Sequence, residues 1–278
     1  MLALVIDTSS GAVTAALVRL DGTHDTAHDA ARKDVRDGVP DHHSGGRPRG
    51  GSGADRADRG LQILAERVTV DARAHGELLA PSIAACLDEA RATPADLDAV
   101  IAGVGPGPFT GLRVGLVTAA AMADALHLPT YGVCSLDAIA AEIARPEGLL
   151  VAGDARRREV YWATYAGTAA HSNADNSDPD DGDPDDSNPD GGRQAGPDVA
   201  RAADVPLAGL TAMTGAGARL YQDQLGLPLL DVDFPTARGL ARLAADRIRS
   251  GAPSERLVPL YLRRPDAVAA TSFKAVTR

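Results

Sequence analysis

The run Gly105-Pro-Gly-Pro-Phe-Thr-Gly-Leu-Arg-Val-Gly115 sets four glycines and two prolines where an apolar stretch, residues 99–104, meets an Ala- and Leu-rich one, residues 112–126. The first stretch reads as a central strand, and the second as a helix with no breaker before Pro129. Glycine permits positive φ and close backbone approach, proline fixes the bends between, and the unbonded N–H groups of a helix start attract anions. A phosphate or another chain could sit at such a turn. A tight strand-to-helix connection that holds no ligand suits it equally. A second polar cluster follows the apolar residues 2–6: Asp7, Thr8, Ser9 and Ser10 precede Gly11, and residues 12–20 resume as a strand. Two strands about a polar turn make a hairpin, whose Asp7 and Thr8 could bond their own backbone or face a ligand.

Metal chemistry has little to work with. His24 and His28 have the i, i+4 separation of a metal pair, but they lie in a polar stretch without an apolar face, and His42-His43 adjoins Gly45-Gly46. Solvated loop histidines are the expectation there. His75 differs, because it opens a helix running to about residue 91. Cys86 and Cys134 are the only cysteines. They have no metal spacing and stand in apolar runs, as small buried thiols do in a reducing cytoplasm.

The elements that must position these groups can be read along the chain. Strands are expected at about 2–7, 12–20 and 61–68, then a helix at 74–91, a strand at 99–104, the glycine-rich turn and a helix to about 127. A strand near 130–134 and a helix over 135–145 complete a first lobe, residues 1–147. Strands at 149–154 and 158–166 open a second lobe, residues 148–278, and residues 240–249 form an amphipathic helix before Pro253. This order predicts mixed α/β layers. At 278 residues the chain is long enough for two lobes with separate cores. Hydrophobic residues make up 44%, yet only nine are aromatic, so the cores must be built from Ala, Val and Leu.

Net charge is −10, which argues against a surface made for nucleic acid, but residues 172–196 alone hold eight Asp and one Arg, so the rest sums to −3. An acidic insertion over about 168–198, with no apolar residue larger than Ala in its repetitive part, cannot offset the entropy of ordering and is expected to be disordered. The Gly-, Asp-, Arg- and His-rich stretch of about 21–60 is expected to be a second such insertion. Growing a loop from five to 25 residues costs only about 1.4 kcal/mol of closure entropy, so both are tolerable. No apolar stretch reaches the roughly 20 residues needed to cross a bilayer, and no charged segment precedes an apolar one at the N-terminus, so a soluble, cytoplasmic protein is expected.

Several blocks together resemble the TsaB (YeaZ) family, the dimerisation subunit of the bacterial machinery that makes threonylcarbamoyladenosine in tRNA. They are Ile6-Asp-Thr-Ser-Ser10, Ala74-His-Gly-Glu-Leu-Leu-Ala-Pro81, the run 105–115 with Pro108 where Ser is usual, Asp154-Ala-Arg-Arg-Arg-Glu-Val-Tyr-Trp162 and Pro259-Leu-Tyr-Leu-Arg-Arg264. The resemblance implies an actin-like (ASKHA, ribonuclease H-like) fold with two related lobes, the late helix returning toward the first. In sugar kinases and actin-like ATPases the first hairpin lies against nucleotide phosphates, so Asp7, Thr8, Ser9, Gly107, Thr110 and Arg113 are the candidate nucleotide-adjacent residues. The catalytic relative, TsaD, carries a His-x-x-x-His pair where this chain has Ser135 and Ile139, and Ile139 cannot bind a metal.

A non-catalytic scaffold or activator that pairs with a TsaD-like subunit is therefore implied. ATP or ADP and metal would sit on partner subunits, a TsaE-like ATPase would dock at the junction, and tRNA would be met only through the complex. The helices after residues 74 and 108 would form the pairing face, through His75, Leu78, Leu79, Ile83, Gly111, Gly115, Ala119 and Ala123. Without TsaD a homodimer could use the same face, and no membrane is involved. These periodic apolar and small residues equally fit internal packing against the sheet. An autonomous actin-like phosphotransferase or ATPase is the competing expectation, weakened by the lack of a second acidic glycine turn to hold Mg²⁺ beside Asp7.

Overall fold

The computed structural model describes residues 1–21, 60–143, 148–166 and 192–263. Both expected insertions fall mostly outside these residues, at 22–59 and 167–191, as do His24, His28, His42 and His43. In chain order the first lobe contains β1 (Leu2–Asp7), β2 (Ala12–Leu20), β3 (Leu61–Val70), α1 (His75–Ala90), β4 (Ala99–Gly103), α2 (Phe109–Leu126), β5 (Thr130–Val133) and α3 (Ser135–Ala141). The second contains β6 (Gly148–Asp154), β7 (Glu159–Ala166), β8 (Arg193–Arg201), β9 (Ala212–Thr214), α4 (Ala216–Leu220) and α5 (Gln222–Leu225), and α6 (Ala237–Arg249) follows.

The first sheet has the order β3-β2-β1-β4-β5, antiparallel across β1, β2 and β3 and parallel from β1 through β4 to β5. Successive residues of a strand point to opposite faces, so the nearly unbroken apolar run of β1 supplies both. Ala3 and Val5 join Ala16, Val18, Ile101 and Tyr131 beneath α6, whereas Leu4 and Ile6 join Ala15, Leu17, Val100 and Ala102 beneath α1 and α2. Helix α6 thus returns to the first lobe. Its buried side is mostly alanine (Ala237, Ala241, Ala244, Ala245), with Leu240 and Ile248, which lets the helix lie close to the sheet. The Thr236 hydroxyl caps it by accepting the Gly239 N–H at 2.9 Å.

Strand β5 is an edge, and Glu255 and Arg247 close it through backbone and side-chain contacts. Glu255 donates its N–H to the Thr130 carbonyl at 2.8 Å, and its carboxylate accepts the Gly132 N–H at 3.1 Å. Arg247 donates to the Gly132 carbonyl at 3.2 Å and pairs with Glu255 at 2.6 Å. Backbone groups that would otherwise invite another strand are thereby satisfied.

The second sheet has the order β8-β7-β6-β9. One face packs Leu149, Val151, Tyr161, Ala163 and Tyr165 on Leu136, Ile139 and Ala140 of α3, and the other packs Leu150, Ala152, Trp162 and Met213 on Ala218 and Leu225. Expected and observed boundaries differ by a few residues: β3 runs on to Val70, α2 starts at Phe109 and α3 stops at Ala141. Strand β8 is a larger departure, because the acidic insertion is expected to extend to about residue 198 and the strand begins at Arg193. It lies at an exposed edge with Gly196 and Pro197 and lacks alternating apolar residues, so its ladder to β7, not its own propensity, makes it a strand.

Leu240→Ala opens a cavity between α6 and the first sheet. A loss of about 2–5 kcal/mol is expected in chemical denaturation, the usual range for a fully buried leucine.

Candidate functional site

The two polar signals of the sequence meet at the C-terminal ends of β1 and β4. Asp7 is fully buried and accepts three hydrogen-bond donors: the Ser9 N–H at 3.0 Å, the Ser9 hydroxyl at 2.9 Å and the Ser135 hydroxyl at 2.7 Å. Ser135 in turn accepts the Gly105 N–H at 3.2 Å and donates its own N–H to the Gly105 carbonyl at 2.7 Å. Asp7 therefore fastens the glycine-rich turn to the start of α3. Burial raises its carboxyl above the ordinary value of 3.8, while hydrogen bonds from Ser135 and Ser9 and the charge of His75 pull it back. A side chain at Gly103 would overlap the Asp7 carboxylate, and one at Gly107 would overlap the Ser9 carbonyl. Backbone of the glycine-rich turn thus lies directly against the Asp7–Ser9 corner.

Thr8 makes the second fastening. Its hydroxyl donates to the Gly111 carbonyl at 2.7 Å and accepts the Gly115 N–H at 2.9 Å, the two groups that a regular helix pairs with each other. Side chains at either glycine would crowd Thr8, so these glycines admit the hydroxyl to the helix. His75 is buried beside them and donates Nε2–H to the Ser10 carbonyl at 2.9 Å. A carbonyl only accepts, so Nε2 carries a proton.

The eight residues expected to meet a partner lie mostly inside the lobe. His75, Leu79, Ile83, Gly111, Gly115, Ala119 and Ala123 are buried inside the lobe, and Leu78 is half-buried. The periodic stripe faces the nearest apolar surface, which is the chain's own sheet. The nucleotide-adjacent set also divides. Asp7, Thr8, Ser9 and Gly107 belong to the interior corner, whereas Thr110 and Arg113 face outward on α2. Ser135 and Ile139 are buried, the first bonded to Asp7 and the second in the second-lobe core. Among the described residues no three His, Cys, Asp or Glu side chains are placed to hold a metal. Burial pushes the Cys134 thiol up to about 12, which fits an inert packing residue.

Two surface features were not foreseen. The first is a groove of about 750 Å³ between α2 and residues 254–261. Leu116, Ala123 and Leu128 line it, and large apolar side chains stand exposed around it: Val117 at 66%, Val258 at 63%, Phe109 at 51% and Tyr261 at 40%. Arg113 organises one end, donating Nε–H to the Tyr261 hydroxyl at 2.8 Å while its guanidinium lies 4.3 Å above the Phe109 ring. By length and mean hydropathy (1.3) α2 could cross a membrane. Here it packs Leu112 and Ala119 on the sheet and turns Val117 toward the groove.

The second feature is the interlobe cleft of about 260 Å³, lined by Ser9, Ser10, Ser135, Asp154, Arg156 and Tyr161 among others. Its rim includes the β6–β7 turn, where Arg156, Arg157 and Arg158 have φ of 63°, 53° and 66°. Left-handed conformation costs a non-glycine residue roughly 1–2 kcal/mol. Behind the cleft, Asp137 is buried and accepts the Tyr165 hydroxyl at 2.7 Å and Arg193 at 3.2 Å, tying α3 to β7 and β8.

The two sheets, the returning helix and the corner between them define a two-lobed α/β protein of the actin-like (ASKHA) class. Comparisons with known proteins agree with that class and narrow it. The family model described as TsaD, tRNA N6-adenosine threonylcarbamoyltransferase, matches residues 62–177. The chain is 47% identical over 207 residues to the uncharacterized protein Rv3421c of Mycobacterium tuberculosis, covering 74% of this chain and 83% of that one. It is 33% identical over 104 residues to the tRNA threonylcarbamoyladenosine biosynthesis protein TsaB of Bacillus subtilis, covering 37% of this chain and 45% of that protein. YeaZ from Pseudomonas aeruginosa has the same fold, with a TM-score of 0.61 at 22% identity over 94% of this chain and 99% of that one. The chain belongs to the TsaB (YeaZ) family.

Thr8→Val keeps the shape but leaves the Gly111 carbonyl and Gly115 N–H without the hydroxyl. A loss of about 1–3 kcal/mol is expected in urea unfolding. Asp7 carries a sign that pH can test. Because burial raises its folded-state pKa, the native state holds the proton more tightly. The stability of the wild type relative to Asp7→Asn therefore falls as pH rises from 3.8 through the elevated native value, then levels off.

Proposed function

We propose that this chain is a non-catalytic subunit in the synthesis of tRNA threonylcarbamoyladenosine, pairing with a TsaD-type protein through the groove between α2 and residues 254–261. The observation that carries the reading is that Val117, Val258 and Tyr261 line one groove with exposed apolar side chains, while the exposed Phe109 ring packs on Tyr261 beside it. Such an apolar patch on a polar surface marks a protein contact. The process comes from the relatives, since TsaB of Bacillus subtilis and of Escherichia coli both carry it in their names.

The interior corner supports a non-catalytic role. Ser135 and Ile139 stand where the resemblance puts metal-binding histidines in TsaD, and both side chains are engaged inside the fold. On this reading ATP or ADP and metal belong to the TsaD-type subunit and a TsaE-like ATPase, and tRNA is presented to the assembled complex. The same groove offers a homodimer contact when the partner is absent. An autonomous phosphotransferase would need Asp7 to face a metal-bound nucleotide, and its carboxylate instead faces Ser9 and Ser135.

Val117→Asp with Val258→Asp places charge on the exposed rim and spares the core. The double variant is expected to melt as the wild type does, yet to bind the purified TsaD-type subunit of the same organism at least about 30-fold more weakly by isothermal titration, the effect of losing central apolar anchors. Equal affinity of variant and wild type would remove the groove from the interface. Tight ATP-Mg binding with turnover by the isolated chain would replace this reading with the phosphotransferase.

A further inference from the structure

We infer that Arg113 is the specificity anchor of the α2 groove and receives a carboxylate side chain of the TsaD-type partner. This rests on the pairing proposed above and names the chemistry that the partner must bring to it. Arg113 is exposed near the start of α2 and lines the groove. Two contacts hold its guanidinium in place. The Phe109 ring lies against its face, with the centroid 4.3 Å away, and Nε–H is donated to the Tyr261 hydroxyl at 2.8 Å. Phe109 and Tyr261 pack on each other with centroids 5.1 Å apart, so the three side chains form one cluster.

Neither contact uses the Nη groups. Among the described residues, no acceptor and no carboxylate pairs with either of them. A guanidinium stacked on a ring keeps its edges for hydrogen bonds, and with Nε engaged, the end that bears Nη1 and Nη2 is left. Tyr261 adds to it, because a hydroxyl that accepts Nε–H retains a proton to donate. The acids of the groove wall are placed elsewhere. Asp124 stands eleven residues further along α2, about 16 Å at the rise of an α-helix, and Glu255 pairs with Arg247 at 2.6 Å. A carboxylate matches the paired Nη donors in a two-pronged geometry, and one charge balances one charge once the partner excludes water from the apolar wall. A phosphate carries more charge than Arg113 alone balances. Arg263, two residues past Tyr261, is paired with Glu159 at 3.4 Å, and Arg256 adjoins Glu255 at the β5 end of the groove. A partner that covered Arg113 without an acceptor would bury an uncompensated charge, so the same contact rejects the wrong partner.

The test is titration of the purified TsaD-type subunit of the same organism at low and high salt. Arg113→Met keeps a long side chain over Phe109 and removes the charge. It is expected to melt as the wild type does, to bind at least about ten-fold more weakly at low salt, and to lose the fall of affinity with rising salt that the wild type shows. Arg113→Lys keeps the charge and is expected to recover that salt dependence with part of the affinity. It also adds an amine to a chain whose only lysines are Lys33 and Lys274. A water-soluble carbodiimide, which takes up the water released, is expected to join that amine to an Asp or Glu of the partner as an amide, located by peptide mass mapping. Unchanged affinity and salt slope in Arg113→Met would overturn the contact. Weaker binding with the wild-type salt slope would overturn it too, since that is what a mere prop for Phe109 and Tyr261 gives. So would loss of ADP-Mg binding by the complex with pairing unaltered, which marks a nucleotide phosphate as the occupant. If Val117→Asp with Val258→Asp fails to bind while Arg113→Met binds as the wild type, the groove stands and the carboxylate contact falls. If both variants bind as the wild type, the proposed pairing through the groove falls as well.

Discussion

One threonine hydroxyl joins the first hairpin to the helix beside it. Thr8 stands at the end of β1 and occupies the helix ladder of α2, bonded to the Gly111 carbonyl and the Gly115 N–H. The helix can admit it only where no Cβ intrudes, which accounts for both glycines. Once this bond is made, the distance between α2 and β1 is fixed, and Leu112, Leu116, Ala119 and Ala123 descend onto the sheet in register. The opposite side of α2 is thereby fixed too. Where Val117 and Phe109 stand in solvent follows from where Thr8 enters.

Asp7, one residue earlier, performs the complementary task of joining the lobes. A buried carboxylate costs free energy unless donors surround it, and here two hydroxyls and an amide do so. Through Ser135 it holds the start of α3, whose Leu136 and Ile139 enter the core of the second lobe. Two residues beyond Ser135, Asp137 takes up Tyr165 and Arg193 from β7 and β8. A chain of polar contacts therefore runs from β1 through a seven-residue helix to the second sheet.

Legibility in the sequence followed physical locality. The β1–β2 hairpin, the strand before Gly105 and the returning helix α6 could be read because periodicity and breakers act within a few residues. The role of Thr8 could not, since its partners lie more than 100 positions away and a hydroxyl carries no long-range sign. The apolar stripes of α1 and α2 were visible, but a stripe does not say whether sheet or partner covers it. The nearest apolar surface did, and so His75, Leu79 and Ala119 are interior. Strand β8 escaped for the reverse reason: its backbone ladder to β7 carries it while its side chains remain exposed and polar. Residues 254–261 close β5 and wall the groove through backbone and ionic contacts, which hydropathy does not register.

Aromatic economy gives the groove its weight. With nine aromatic residues in 278, each ring in the solvent is one withheld from a core otherwise made of alanine, valine and leucine. Phe109 and Tyr261 stand in solvent with centroids 5.1 Å apart, and Arg113 holds both, one by its ring face and the other by its hydroxyl. Rings fixed in this way lose little side-chain freedom when a partner covers them, so more of their burial appears as affinity. An apolar surface already ordered before binding would serve the pairing proposed above.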